Sequence, residues 1–135
     1  MTRLETPSMA RLDQPRRVAT FPFAETIDIS DARASPDDPS PCLASATAVW
    51  YLLHPNEPGT LTVDLAGSTP HDAVVRLYRR SLDGHNSLEF LGCASPIWNG
   101  QLSLDALIQS GGVILAQVGT AKSHAGTLVI RIELR

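Results

Sequence analysis

From residue 47 onward, apolar and polar positions alternate with a period of two along much of the chain, and glycine or proline separates the runs. Gly59–Leu65 reads GTLTVDL, with Leu61, Val63 and Leu65 on one side and Thr60, Thr62 and Asp64 on the other. That spacing predicts a strand with one face against a core and one in water. Thr127–Leu134 (TLVIRIEL) alternates in the same way, and Leu102–Leu107 does so over its first half. Thr47–His54 (TAVWYLLH) is almost wholly apolar and rich in β-formers, which suits a central strand buried on both faces. Val113–Val118 (VILAQV) is nearly all apolar as well. Ala73–Arg79 and Leu88–Cys93 are further strands, and Phe21–Ser30 is read as the first. Ser103–Ser110 could instead carry a helical stripe through Leu104, Leu107 and Ile108, but strand is preferred. About eight strands predict an all-β fold, a two-sheet antiparallel β-sandwich of jelly-roll type.

Turn residues are distributed unevenly. Six of the ten prolines fall within the first 41 residues, and all nine glycines lie at or beyond Gly59. Proline fixes φ and discourages helix, so proline without glycine suits an extended segment. Residues 1–20 are therefore read as an extended N-terminal arm and 21–135 as the folded domain. Arg3, Arg11, Arg16 and Arg17 give the arm its basic character, against Glu5 and Asp13. The next stretch, through residue 41, is acidic, with Glu25, Asp28, Asp31, Asp37 and Asp38.

Composition narrows the function classes. At 135 residues the chain is the size of one ordinary domain. Its net charge of −3 and pI near 5.7 argue against a general nucleic-acid binder. No run of eighteen apolar residues exists, so no membrane insertion is expected. The stretch MTRLETPSMARLDQPRR has no apolar h-region, so no secretory signal peptide is expected there. Neither a nucleophile elbow nor a glycine-rich phosphate loop is present, and enzymatic activity is not expected.

The order of these segments is similar to that of the bacterial pre-peptidase C-terminal (PPC) domain, a β-sandwich appended to many secreted bacterial proteins. Cys42 lies shortly before the aromatic run Ala48-Val49-Trp50-Tyr51, and Gly59-Thr60-Leu61-Thr62-Val63 follows. Gly67-Ser68 then leads to Asp72-Ala73-Val74-Val75-Arg76-Leu77-Tyr78. Gly112–Gly119 and Gly126-Thr127-Leu128 complete the resemblance, which covers Phe21–Arg135. Two departures stand out. Cys93-Ala94-Ser95-Pro96 replaces a stretch that is often acidic in the family, and Pro70-His71 precede Asp72 where an acidic residue is common. A calcium site at Asp72 would exist only if a family-like site survives, since calcium needs six to eight oxygen ligands. No metal or other cofactor is expected.

The resemblance pairs Cys42 with Cys93, and an even cysteine count in an outward-facing domain reads as a disulfide. Two free thiols or a metal pair are the alternatives, although a metal needs more ligands than one cysteine pair supplies. His54, His71, His85 and His124 share no ligand spacing and read as turn residues. Trp50 reads as core. Trp98 lies in the loop-like Ser95–Gly100; a loop tryptophan usually plugs a core, and its alternative is an exposed stacking face. Trp98, Tyr78, Arg79 and Arg80 form the candidate ligand surface, with Arg76 in the same basic cluster.

These readings converge on a non-catalytic structural or interaction module acting outside the cytoplasm. Its expected partners are other protein subunits of an assembly, such as a virion or particle surface, docked through the arm residues Arg3, Arg11, Arg16 and Arg17. The alternatives are a carbohydrate- or matrix-binding module, with a surface polysaccharide as partner, and an excised accessory domain of a secreted protease. No nucleic-acid partner is expected.

Overall fold

A computed structural model of the protein describes residues 15–30, 32–36, 38–80, 88–109 and 112–135. Nine strands run through them: β1 (Arg16–Val18), β2 (Phe23–Asp28), β3 (Thr47–Leu53), β4 (Gly59–Asp64), β5 (Ala73–Arg80), β6 (Leu88–Ala94), β7 (Ser103–Ile108), β8 (Ile114–Thr120) and β9 (Thr127–Leu134). They form a five-stranded sheet in the order β1-β3-β8-β5-β6 and a four-stranded sheet in the order β2-β9-β4-β7. From β2 onward each connection crosses to the opposite sheet except the β5–β6 hairpin. That alternation is the jelly-roll order of an antiparallel two-sheet sandwich. The segment with a possible helical stripe is strand β7, paired with β4 from Gly59↔Ile108 to Asp64↔Ser103.

β1 falls within the stretch read as an arm. It pairs in parallel with β3, Arg16 opposite Tyr51 and Val18 opposite Leu53, and the Val18 side chain enters the core. One valine among arginines leaves no periodic signal in the sequence, so this strand was not foreseen. Arg3 and Arg11 lie outside the described residues.

The core between the sheets is aliphatic. Leu61, Val63, Leu128, Ile130 and Ile132 from one sheet meet Val49, Tyr51, Val75, Leu77, Ile114 and Val118 from the other. β8 is central and buried along its whole length. At its far end Gly119 sits between Ala48 and Val74, and a methyl group there would overlap the Thr47 carbonyl oxygen. Glycine lets the backbones close up at that point. Beside it Thr47 and Thr120 share a buried hydroxyl contact of 2.6 Å. Thr120 directs its own hydroxyl hydrogen to the Ser123 carbonyl at 2.5 Å, so Thr47 is the donor to Thr120.

At the β1 edge the two sheets are joined by charge. Arg16 lies 2.8 Å from the Glu25 carboxylate, and its guanidinium sits 5.6 Å from the centre of the Phe23 ring. Burial pushes the Glu25 carboxyl up, and the Arg16 charge opposes the shift. The Tyr51 phenol is raised by burial, with the Glu25 charge adding to it and Arg16 opposing.

Candidate functional site

Four connections meet at one end of the sandwich: β2–β3, β4–β5, β6–β7 and β8–β9. Backbone hydrogen bonds knit them, from Ile29 N to Gly126 O, Ala121 N to Asp72 O and Thr69 N to Thr127 O. The Cys42–Cys93 disulfide ties the first of them to the end of β6. Cys42 adopts φ 74°, a left-handed conformation that a cysteine rarely takes, and Arg76 holds the chain on either side of it. Arg76 donates from Nε to the Pro41 carbonyl at 2.9 Å and from Nη2 to the Leu43 carbonyl at 2.6 Å. Since Arg76 also stands opposite Cys93 in the β5–β6 ladder, one side chain organises both halves of the bridge.

Between these loops lies an open cleft of about 540 Å³. Leu43 and Ala44 form one wall, His71 and Asp72 a second, Ala121–Ser123 a third, and Ile97 closes the fourth. Asp72 is a brace for this cleft. Its carboxylate accepts from the Lys122 and Ser123 backbone N–H groups and from the Ser123 hydroxyl, each at 2.7 Å. Burial would raise its pKa, but these donors more than compensate and the carboxyl is held below its ordinary value. All three contacts bind the β8–β9 loop. Among the described residues no group of three His, Cys, Asp or Glu comes together, so the contingent calcium reading has only Asp72 to rest on.

The fourth wall is the most distinctive. Ser95 accepts three backbone N–H groups at its carbonyl, those of Trp98, Asn99 and Gly100, at 3.0–3.1 Å. The Asn99 side chain accepts from Ser95 N and Gln101 N and donates to the Cys93 carbonyl. Gly100 takes φ 73°, which closes the turn. The loop is thus held by its own polar groups and has no need of an apolar plug. Ile97 and Trp98 are left facing solvent, at 45% and 55% exposure. Loop closure by Asn99 is the reason Trp98 does not fill the core as a loop tryptophan usually does.

The remaining predicted positions are scattered. Tyr78 is buried, its hydroxyl donating to Gln117 Oε1 at 2.9 Å and its ring set between Trp50 and Phe90, so it offers no face to a ligand. The outer face of β5 is covered, and a tyrosine there becomes core. Arg79 and Arg80 lie at the end of β5 away from the cleft, and Arg79 pairs with Glu89 at 2.9 Å. Arg76 is wholly buried. Arg16 is engaged with Glu25, and Arg17 is exposed. Of the histidines, His71 lines the cleft, His54 follows β3, His124 is exposed, and His85 lies outside the described residues. Sequence reading missed Asn99, Ile97 and the Lys122–Ser123 wall. The Ser-Pro start and Asn-Gly end of that loop were the available signal.

No protein-family model matches the chain. No curated protein matches it. Among solved structures, the crystal structure of the Yersinia pseudotuberculosis-derived mitogen is similar, with a TM-score of 0.51 and 14% identity over 85% of this chain and 88% of that one. Aeromonas hydrophila PliG, a periplasmic lysozyme inhibitor of g-type lysozyme, aligns with a TM-score of 0.48 and 13% identity over 96% of this chain and 100% of its own. At such identity the mitogen likeness bears on the β-sandwich fold alone.

Proposed function

We propose that this chain is a non-catalytic interaction module that works in an oxidising, extracytoplasmic compartment and binds a protein partner with the loop end of its sandwich. The observation that carries this reading is the pair Ile97 and Trp98, held out to solvent by a loop whose hydrogen bonds are internal. An aromatic–aliphatic pair on a hydrogen-bonded loop has the composition of an interface anchor, because little loop freedom is left to lose when it docks. The Cys42–Cys93 bridge supports the compartment, since disulfides persist where glutathione does not reduce them. Docking through the basic arm has less support, as Arg16 and Val18 are engaged on the chain's own sandwich.

A polysaccharide partner is the second reading, favoured by the exposed ring of Trp98, next in the chain to Ile97, which lines the cleft with His71 and Lys122. Two substitutions separate the readings. Trp98→Ala removes a stacking platform and an interface anchor alike, whereas Ile97→Asp damages an apolar interface and leaves the indole in place. Affinity capture from the producing organism's extracellular fraction, followed by titration with the purified captured protein, is expected to show at least tenfold weakening by both variants. Binding to an insoluble polysaccharide that Trp98→Ala abolishes and Ile97→Asp spares would replace the protein reading with the glycan one.

A further inference from the structure

The outer face of the five-stranded sheet carries a row of three side chains on its three central strands. Trp50 of β3 stands opposite Gln117 of β8, and Gln117 stands opposite Arg76 of β5. All three are wholly buried. Each leaves a nitrogen donor with no hydrogen-bond partner: Trp50 Nε1, Gln117 Nε2 and Arg76 Nη1. Cross-strand neighbours have their Cβ atoms about 4.5–5.5 Å apart, so Gln117 is the direct neighbour of both Trp50 and Arg76 on this face. Tyr78 links them further. Its hydroxyl donates to Gln117 Oε1, and its ring lies 5.9 Å from that of Trp50.

The charge balance of this row is one-sided. Among the described residues no carboxylate forms an ion pair with Arg76, whose other two donors go to the Pro41 and Leu43 carbonyls. Asp38 acts electrostatically on the Tyr78 hydroxyl. An unpaired buried cation is strongly disfavoured, and each unmade buried hydrogen bond adds to that cost. A water molecule could accept from these donors, but it would leave the buried guanidinium charge unbalanced. A small anion accepts from every side and neutralises the guanidinium. We propose that Trp50 Nε1, Gln117 Nε2 and Arg76 Nη1 form a buried site for a monovalent halide ion, a structural ligand beneath the segment that carries Cys42.

Crystals of the full chain soaked in sodium bromide and measured at the bromine absorption edge test this directly. An anomalous peak within hydrogen-bonding reach of the three nitrogens is expected. In parallel, the thermal midpoint of the oxidised protein is followed as sodium chloride replaces sodium gluconate at constant ionic strength. A saturable rise is expected, lost in Gln117→Leu, because a ligand that binds only the folded state stabilises it by mass action. If Gln117→Leu does not fold, the bromide map of the wild-type protein still decides. Bromide at other surface positions only, which is an adventitious ion only, or ordinary water density at the three nitrogens, would overturn the site. So would a midpoint indifferent to chloride.

Discussion

The two sheets of this sandwich treat their outer faces in opposite ways. On the four-stranded sheet the outward positions are Ala24 and Thr26 of β2, Thr62 and Asp64 of β4, Asp105 of β7 and Arg131 of β9, and none is buried. They interact sideways, as when Thr62 donates to Asp105 across the ladder at 2.7 Å. On the five-stranded sheet the outward positions Trp50, Leu52, Tyr78 and Leu115 form a second buried cluster. The difference shows in the primary pattern as well. β4 and β9 alternate, while β3 is buried at all seven positions. A strand that reads apolar throughout announces a cover on its second face before that cover is known.

The largest test removes the second cluster. Trp50→Ala is expected to cost about 4 kcal/mol, the range found for deleting a buried aromatic side chain. Thr26→Ala, outward on the other sheet, is expected to stay within about 0.5 kcal/mol. Urea unfolding of the two variants measures both. Equal effects would mean that the outer faces do not differ, and that the burial of Trp50 adds nothing to stability.

Opening the Cys42–Cys93 bridge probes what fastens the cover to the sheet. The bridge spans 51 residues, and the loop-entropy estimate for such a closure is about 4 kcal/mol. The Cys42→Ser, Cys93→Ser double variant is expected to lose about 2–4 kcal/mol and to fluoresce from a less protected Trp50. Loss of stability without any change in Trp50 would place the effect in the unfolded chain alone.

Legibility followed the same divide. The alternating strands, the all-apolar β3 and the turn glycines were open to reading because each is a local pattern. The polar row was not, since Arg76 between Val75 and Leu77 looks like an ordinary outward residue until the Pro41–Leu43 segment folds over it. β1 was hidden because pairing with β3, and not its own composition, makes it a strand. The cleft draws on residues 43, 71–72, 97 and 121–123, which no single window contains.

Asp72 sharpens the comparison at the loop end. Asp72→Asn can keep its amide oxygen on the Lys122 and Ser123 N–H groups and turn its NH2 to the Ser123 hydroxyl, but it loses the charge that strengthens these bonds, and is expected to cost about 1–2 kcal/mol at neutral pH. The pH dependence has a definite sign. A carboxyl held below its ordinary value in the fold stabilises above its unfolded pKa, and that contribution is lost as pH falls through the lower folded value. The gap between wild type and Asp72→Asn is therefore expected to close below about pH 4. Denaturant titrations at pH 3 and pH 7 check it, and a gap unchanged at pH 3 would mean that charge plays no part.

A small effect on stability is expected at the other tryptophan. Trp50 and Trp98 have the same side chain, one wholly buried and one 55% exposed. What holds the Trp98 loop is the Ser95 carbonyl, the Asn99 side chain and Gly100, none of which needs the indole. Trp98→Ala should thus shift stability by under about 1 kcal/mol, while Asn99→Ala, which removes the hydrogen-bond hub, should cost more. Thermal unfolding of the pair, read with partner binding, separates the two roles. Asn99→Ala is expected to lower both stability and affinity, and Trp98→Ala affinity alone. A Trp98→Ala variant as unstable as Trp50→Ala would return this residue to the core and remove the anchor from the proposed interface.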